Sequence, residues 1–89
     1  AQLSGSTIAA ENTEYVIFTE ELDAASKAAV EAEIIDAVTA GDATKLTFTW
    51  TGSKLAVKNT DTSAPVAIGT VTVTIKDLKG NQASVTVNP

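Results

Sequence analysis

The side chains of this chain that could do chemistry are carboxylates, lysine amines and hydroxyls, because its 89 residues include no histidine and no cysteine. Histidine is the usual general base near neutral pH, and the cysteine thiolate is the usual thiol nucleophile and soft metal ligand. The sequence also has no G-x-S-x-G, no phosphate-cradling glycine loop and no calcium-loop pattern of alternating acids. We therefore predict no catalytic residue, no cofactor and no metal ligand, and a protein that is not an enzyme.

Two clusters of carboxylates are the remaining candidates for acid and base chemistry: Glu20-Glu21-Asp23 and Glu31-Glu33-Asp36. Acidic residues at the start of a helix favour its dipole, and acidic residues along its exposed side favour solubility. We interpret both clusters as structural.

The charge balance excludes several classes of partner. Eleven acidic residues face six lysines, and the chain has no arginine, so the net charge is -5. Such a chain is repelled by phosphate backbones and anionic membranes. It also lacks arginine, the side chain that usually binds phosphates and bases through two hydrogen bonds. No stretch approaches the roughly 20 apolar residues of a membrane span, and no signal peptide is visible in residues 1–10. We expect no nucleic acid partner and no membrane insertion.

Threonine ladders and one tryptophan could bind a ligand directly. The T-x-T spacing at 47–51 and 70–74 could match ice or a glycan, although threonine also suits any solvated strand face. Trp50 could stack on a sugar ring, but its phase with Phe48 and Leu46 places it in the core or at the core edge. We interpret both features as structural.

An intramolecular isopeptide bond is a further possibility for Lys45, Lys54 or Lys58. It requires a lysine buried beside an asparagine and an acid. Alternation places Lys54 and Lys58 on the solvated side of a strand, which argues against it.

The elements that position these residues begin with strands and one helix. The sequence predicts a strand over Glu14–Thr19 and a weaker, earlier strand anchored by Leu3 and Ile8. A helix is predicted over about 24–40, with Asp23 capping its first turn and Gly41 ending it in the left-handed conformation. Its buried face follows the three-and-four spacing of Val30, Ile34, Ala37 and Val38.

A first hairpin is predicted around the two-residue turn Gly52-Ser53. Closing that turn sets Thr51 opposite Lys54. One face then carries the pairs Trp50/Leu55 and Phe48/Val57, and the other carries Thr49/Ala56 and Thr47/Lys58.

A second hairpin is predicted around Leu78-Lys79-Gly80, with Gly80 in the left-handed position and Asp77 opposite Asn81. The resulting pairs on one face are Ile75/Ala83, Val73/Val85 and Val71/Val87. A change of phase between Ile68 and Val71 predicts a β-bulge at Gly69.

The stretch VTVTIKDLKGNQASVTV, residues 71–87, resembles the closing hairpin of bacterial immunoglobulin-like repeats, in which an alternating strand enters a D-x-x-G-N turn. The stretch LDAASKAAVEAEI followed by strands is similar to helix-containing repeats of long bacterial surface proteins. With the pattern of elements, the resemblance implies a mainly β (α+β) fold. We expect an antiparallel immunoglobulin-like β-sandwich, with one helix at about 24–40 between early and later strands, in a single module over 1–89.

The function implied by the resemblance is that of a non-catalytic structural or adhesion module of a secreted bacterial cell-surface or surface-layer protein, located outside the cell. Its expected partners are neighbouring domains of the same chain, a self-assembled lattice, and carbohydrate or cell-wall polymer. Two alternatives remain open: an immunoglobulin-like domain of a phage capsid or tail protein in the virion, and a carbohydrate-binding module of an extracellular enzyme. Trp50 or Tyr15 exposed in a groove would favour the last.

Overall fold

The protein is mainly β, with antiparallel strands and one α-helix. The computed structural model describes the backbone of residues 7–87 and the side chains of residues 7–82. In chain order the elements are β1 (Thr7–Ile8), β2 (Thr13–Ile17), α1 (Ala24–Asp36), β3 (Val38–Ala40), a 3-10 turn (Ala43–Lys45), β4 (Leu46–Thr51), β5 (Lys54–Asn59), β6 (Val66–Ile68), β7 (Val71–Lys76) and β8 (Gln82–Val87).

The strands form two three-stranded sheets with matching order, β1-β6-β3 and β2-β5-β4, and β7 pairs with β8. β1 leads into β2, β3 into β4, and β5 into β6, so each strand of one sheet continues into the corresponding strand of the other. The three connections, residues 9–12, 41–45 and 60–65, therefore lie side by side. Backbone hydrogen bonds join them, from Glu11 N to Asp61 O at 3.1 Å and from Thr60 N to Lys45 O at 2.9 Å.

Both predicted hairpins are confirmed in register. Around Gly52-Ser53, every predicted pair from Thr51/Lys54 to Thr47/Lys58 is present. In the second hairpin Asp77 N donates to Asn81 O at 3.0 Å, Gly80 has a φ of 89°, and the pairs from Ile75/Ala83 to Val71/Val87 are as predicted. These registers follow from local turn chemistry, because a short loop fixes which residues face each other.

The predicted end of the helix is wrong. The helix spans Ala24–Asp36 rather than 24–40. The N–H of Ala37 donates the last helical hydrogen bonds, and the chain then continues into β3. β-Branched Val38 and Thr39 suit a strand, and Val38 pairs with Ile68 of β6. Tertiary pairing therefore overrides the helical periodicity of this segment.

The predicted bulge at Gly69 is also wrong. The register shift lies in β3, between Val38 and Ala40. Gly69 instead marks the crossing from β6 to β7, where its N–H donates to Ala37 O at 2.7 Å. The phase change in the sequence therefore marks the point where the chain leaves the β1-β6-β3 sheet and begins to pair with β8.

The first predicted strand is confirmed with shifted bounds, as Thr13–Ile17. Ile8 lies in the weaker strand, and Leu3 is outside the described residues. Phe18, predicted inside the strand, follows it and is buried.

One core joins the helix to the sheets. Val30 and Ile34 of α1 are completely buried together with Val16, Leu55 and Val57 of the β2-β5-β4 sheet. The alanines beside this face give the segment a high helix propensity.

The start of the helix is tied to the second hairpin. Asp23 accepts a hydrogen bond from Ser26 N at 2.8 Å as the predicted cap, and Asp23 N donates to Lys76 O at 2.9 Å. Buried Ser26 accepts from Lys76 N through its hydroxyl at 2.7 Å. These bonds fix α1 against β7.

Candidate functional site

The outward side of the β2-β5-β4 sheet presents a regular array of nine side chains, which we call the open face. Its three rows across the strands are Thr13/Lys58/Thr47, Tyr15/Ala56/Thr49 and Ile17/Lys54/Thr51. The array follows from the pleat, since the alternate residues Val16, Leu55 and Val57 point inward and are fully buried.

The open face combines exposed apolar, aromatic, hydroxyl and cationic groups. Tyr15 is 45% exposed and Ile17 is 62% exposed. The Lys54 ammonium lies 4.8 Å from the centroid of the Tyr15 ring, a cation–π contact that orders both side chains. None of the nine positions is acidic, so Lys54 and Lys58 give this face a charge of +2 on a chain of net charge -5. The charged side chains of the open face are therefore all cationic, on an acidic protein.

The first threonine ladder lies on the open face, and the second runs from Thr70 into β7. Thr47, Thr49 and Thr51 are all exposed, as the solvated-face interpretation predicts. Thr70 is exposed just before β7, and in β7 the exposed Thr72 and Thr74 alternate with buried Val71 and Val73.

The three lysines considered for an isopeptide bond, Lys45, Lys54 and Lys58, are exposed. The burial that such a bond requires is therefore lacking at these positions.

Trp50 is half-buried at the core edge, as predicted, and its ring contacts other side chains of the protein. It stacks on Phe18 with ring centroids 5.8 Å apart, and the Lys27 ammonium lies 5.6 Å from its ring centroid. Its indole Nε1 donates to the Glu31 carboxylate at 2.9 Å. Trp50 thus ties the helix to β4 and is not presented to a sugar.

Replacing Trp50 with alanine should lower the free energy of unfolding by about 2 to 3 kcal/mol, because it removes a half-buried aromatic ring and a hydrogen bond. Chemical denaturation measures this loss. Trp50→Phe is the matched control and should lose clearly less, since it keeps the stacking on Phe18. Equal stability of Trp50→Ala and the wild type would show that the ring does not anchor the helix.

Asn59 is the polar centre of the junction between the two sheets. It is completely buried, and its Nδ2 donates to Ile8 O at 3.0 Å and to Ala64 O at 2.9 Å. Its Oδ1 accepts from Asp61 N at 3.0 Å. The side chain satisfies two backbone groups of the 60–65 connection and one backbone group of β1. This role was not predicted from the sequence, although the phase of Asn59 with Leu55 and Val57 marks it as inward-facing.

Four aspartates are held by hydrogen bonds that fix turns. In three of them a hydrogen bond to another side chain is the main cause of a lowered pKa. The partner is Ser26 for the pKa of Asp23, Thr44 for that of Asp42, and Asn81 for that of Asp77. The pKa of Asp61 is lowered first by the backbone N–H of Ser63 and then by that of Ala64. These carboxylates act as caps and turn formers.

The lowered pKa values predict loss of stability in acid. A carboxyl group whose pKa is lower in the folded than in the unfolded state stabilises the fold above its ordinary value of 3.8, and this stabilisation is lost as the pH falls through the folded-state pKa. The melting temperature should therefore fall as the pH is lowered from about 5 to about 2. The combined variant Asp42→Asn, Asp61→Asn should lose less over that range. An equal loss in both proteins would contradict the assignment.

Within residues 7–87 the structure brings together no group of three or more acids that could hold a metal ion. Asp77 contacts Asn81 rather than other acids, with Asn81 Nδ2 donating to Asp77 Oδ2 at 3.0 Å. A tight calcium site needs six to eight converging oxygens.

We predict that the domain folds in chelator and gains little from calcium. Thermal melts in EDTA and in calcium measure this, because occupancy at 100 times the dissociation constant would add about 2.7 kcal/mol. A rise of more than a few degrees would reveal a calcium site.

A cleft of about 340 Å³ lies between the start of α1 and the second hairpin. Its polar lining includes Asp23, Ser26 and Lys76, which hold the helix to β7 as described above. The polar groups of the cleft therefore serve to hold α1 against β7.

No family model, no curated protein and no solved structure matches the chain. In the part of the chain that the structure describes, no helix has the length and apolar character needed to cross a membrane.

Proposed function

We propose that the protein is a non-catalytic structural or adhesion module of a secreted bacterial cell-surface or surface-layer protein. The observation that carries this proposal is the use of its reactive side chains. Asp23, Asp42, Asp61 and Asp77 cap turns or the helix, while Asn59 and Ser26 hold separate elements together. These polar side chains are thus used to hold the scaffold together.

The immunoglobulin-like sandwich remains part of this proposal. It is supported by the two antiparallel sheets and by the D-x-x-G-N turn of the second hairpin, in which Asp77 Oδ1 accepts from Lys79 N and from Asn81 N, both at 2.9 Å. The elongated shape, 41 × 21 × 19 Å, suits a spacer between neighbouring domains. A lattice subunit is the other form that the same role can take.

A carbohydrate-binding module is the second candidate, and exposed Tyr15 favours it. The side chain lies on the open face beside the two lysines and the threonine ladder. Exposure of Tyr15 is one part of the feature that would favour this role, and the other part would be a groove around it.

The test is the sequence of the intact native protein, obtained by mass spectrometry of the protein purified from its source. Tandem copies of this module, or other β modules beside it, are expected. A capsid or tail protein around the module would favour the virion role instead, and a catalytic domain would favour the carbohydrate-binding role.

A further inference from the structure

We infer that the open face binds a linear polysaccharide that carries carboxylates, with the polymer lying along β5. This inference deepens the proposed function and rests on it for where such a polymer is met. The binding itself is a property of the isolated domain.

Electrostatics favour an anionic ligand. Lys54 and Lys58 lie on the same side of the central strand, four positions apart in β5, which corresponds to about 14 Å along an extended strand. Because the rest of the chain is strongly acidic, an anionic polymer is attracted to this face and repelled elsewhere.

The shape of the open face suits a narrow chain of sugar rings. Ala56 lies at its centre, between Tyr15 on one strand and Thr49 on the other. The small methyl group leaves a shallow floor, and the hydroxyls of Tyr15 and the threonines both donate and accept hydrogen bonds. The contact with Tyr15 holds Lys54 near this floor, at 4.8 Å from the ring centroid.

The small area of the open face argues against a second copy of the protein as its occupant. The open face has nine residues, far fewer than the roughly 20 to 30 that each partner contributes to a stable protein interface. A polymer needs only a narrow strip, and it gains avidity when many modules line one surface.

The experiment measures binding of polygalacturonate fragments to the domain by calorimetry at low salt. The wild type should bind, and added salt should weaken the binding because the lysines are exposed. Lys54→Gln with Lys58→Gln should weaken binding roughly tenfold or more. Lys76→Gln with Lys79→Gln removes the same charge from the second hairpin, outside the sheet that carries the open face, and should leave the affinity unchanged. Circular dichroism confirms that both variants fold.

Four results would overturn the inference. They are no binding of polygalacturonate, equal weakening by the two lysine pairs, tighter binding of inorganic polyphosphate than of polygalacturonate, and equal binding of neutral dextran. Sedimentation of the ligand-free domain adds a fifth: self-association that Lys54→Gln with Lys58→Gln abolishes would assign the face to a second copy. None of these results depends on where the protein is located, so they are distinguishable from failure of the proposed function.

Discussion

Replacing Asn59 with alanine is expected to lower the free energy of unfolding by about 3 to 5 kcal/mol. The substitution leaves the carbonyls of Ile8 and Ala64 and the N–H of Asp61 without the side chain that satisfies them. Each buried polar group that loses its partner costs about 1 to 3 kcal/mol. The loss also loosens the connections through which the strands of one sheet enter the other.

Urea denaturation followed by circular dichroism measures this effect. Asn81→Ala is the matched control, because Asn81 is exposed and its side chain bonds only the Asp77 carboxylate among the described contacts. The control should lose less than about 1 kcal/mol. Similar losses for the two variants would show that Asn59 does not hold the junction.

Gly41→Ala is expected to lower the free energy of unfolding by about 3 to 5 kcal/mol. Gly41 has a φ of 97°, and a Cβ built there would lie 2.7 Å from Pro65 O and 3.0 Å from Val66 Cα. Both neighbours are backbone atoms, one in the residue before β6 and one in its first residue. The new methyl group cannot be accommodated unless β3 and β6 separate.

Gly80→Ala is the matched control for this prediction. Gly80 has a similar φ of 89°, but a Cβ there meets nothing within 4 Å. Gly80→Ala should therefore lower the free energy of unfolding only by the cost of the left-handed conformation for alanine, about 1 to 2 kcal/mol. Equal losses at the two positions would mean that backbone strain, rather than close packing against β6, sets the requirement for glycine at position 41.

Local sequence signals predict the hairpins because a tight turn fixes the pairing of everything that follows. Glycines at Gly52 and Gly80 and alternation in the flanking strands are sufficient to place each pair in β4/β5 and β7/β8. The helix start is equally local, since Asp23 caps it through a bond to Ser26.

Features set by long-range pairing are not predicted. Residues Val38–Ala40 have a helical phase but become β3, because β6, nearly thirty residues later, offers a strand edge. The left-handed conformation predicted for Gly41 is confirmed, yet it ends a strand instead of the helix. The role of Asn59 likewise depends on contacts with Ile8, 51 positions away.

The open face is predictable only in part. The first hairpin pairs the threonine column with Lys54, Ala56 and Lys58, as the sequence analysis anticipates. Tyr15 joins them through the pairing of β2 with β5, which no turn of the local sequence fixes. The aromatic side of the face therefore emerges only from the folded structure.

Brief protease treatment of intact living cells of the source organism, with mass spectrometry of the released peptides, tests the proposed surface role most directly. Peptides of this domain should appear in the supernatant while a cytoplasmic marker enzyme stays inside the cells. Release of the domain only after lysis, at the same rate as the marker, would contradict the account.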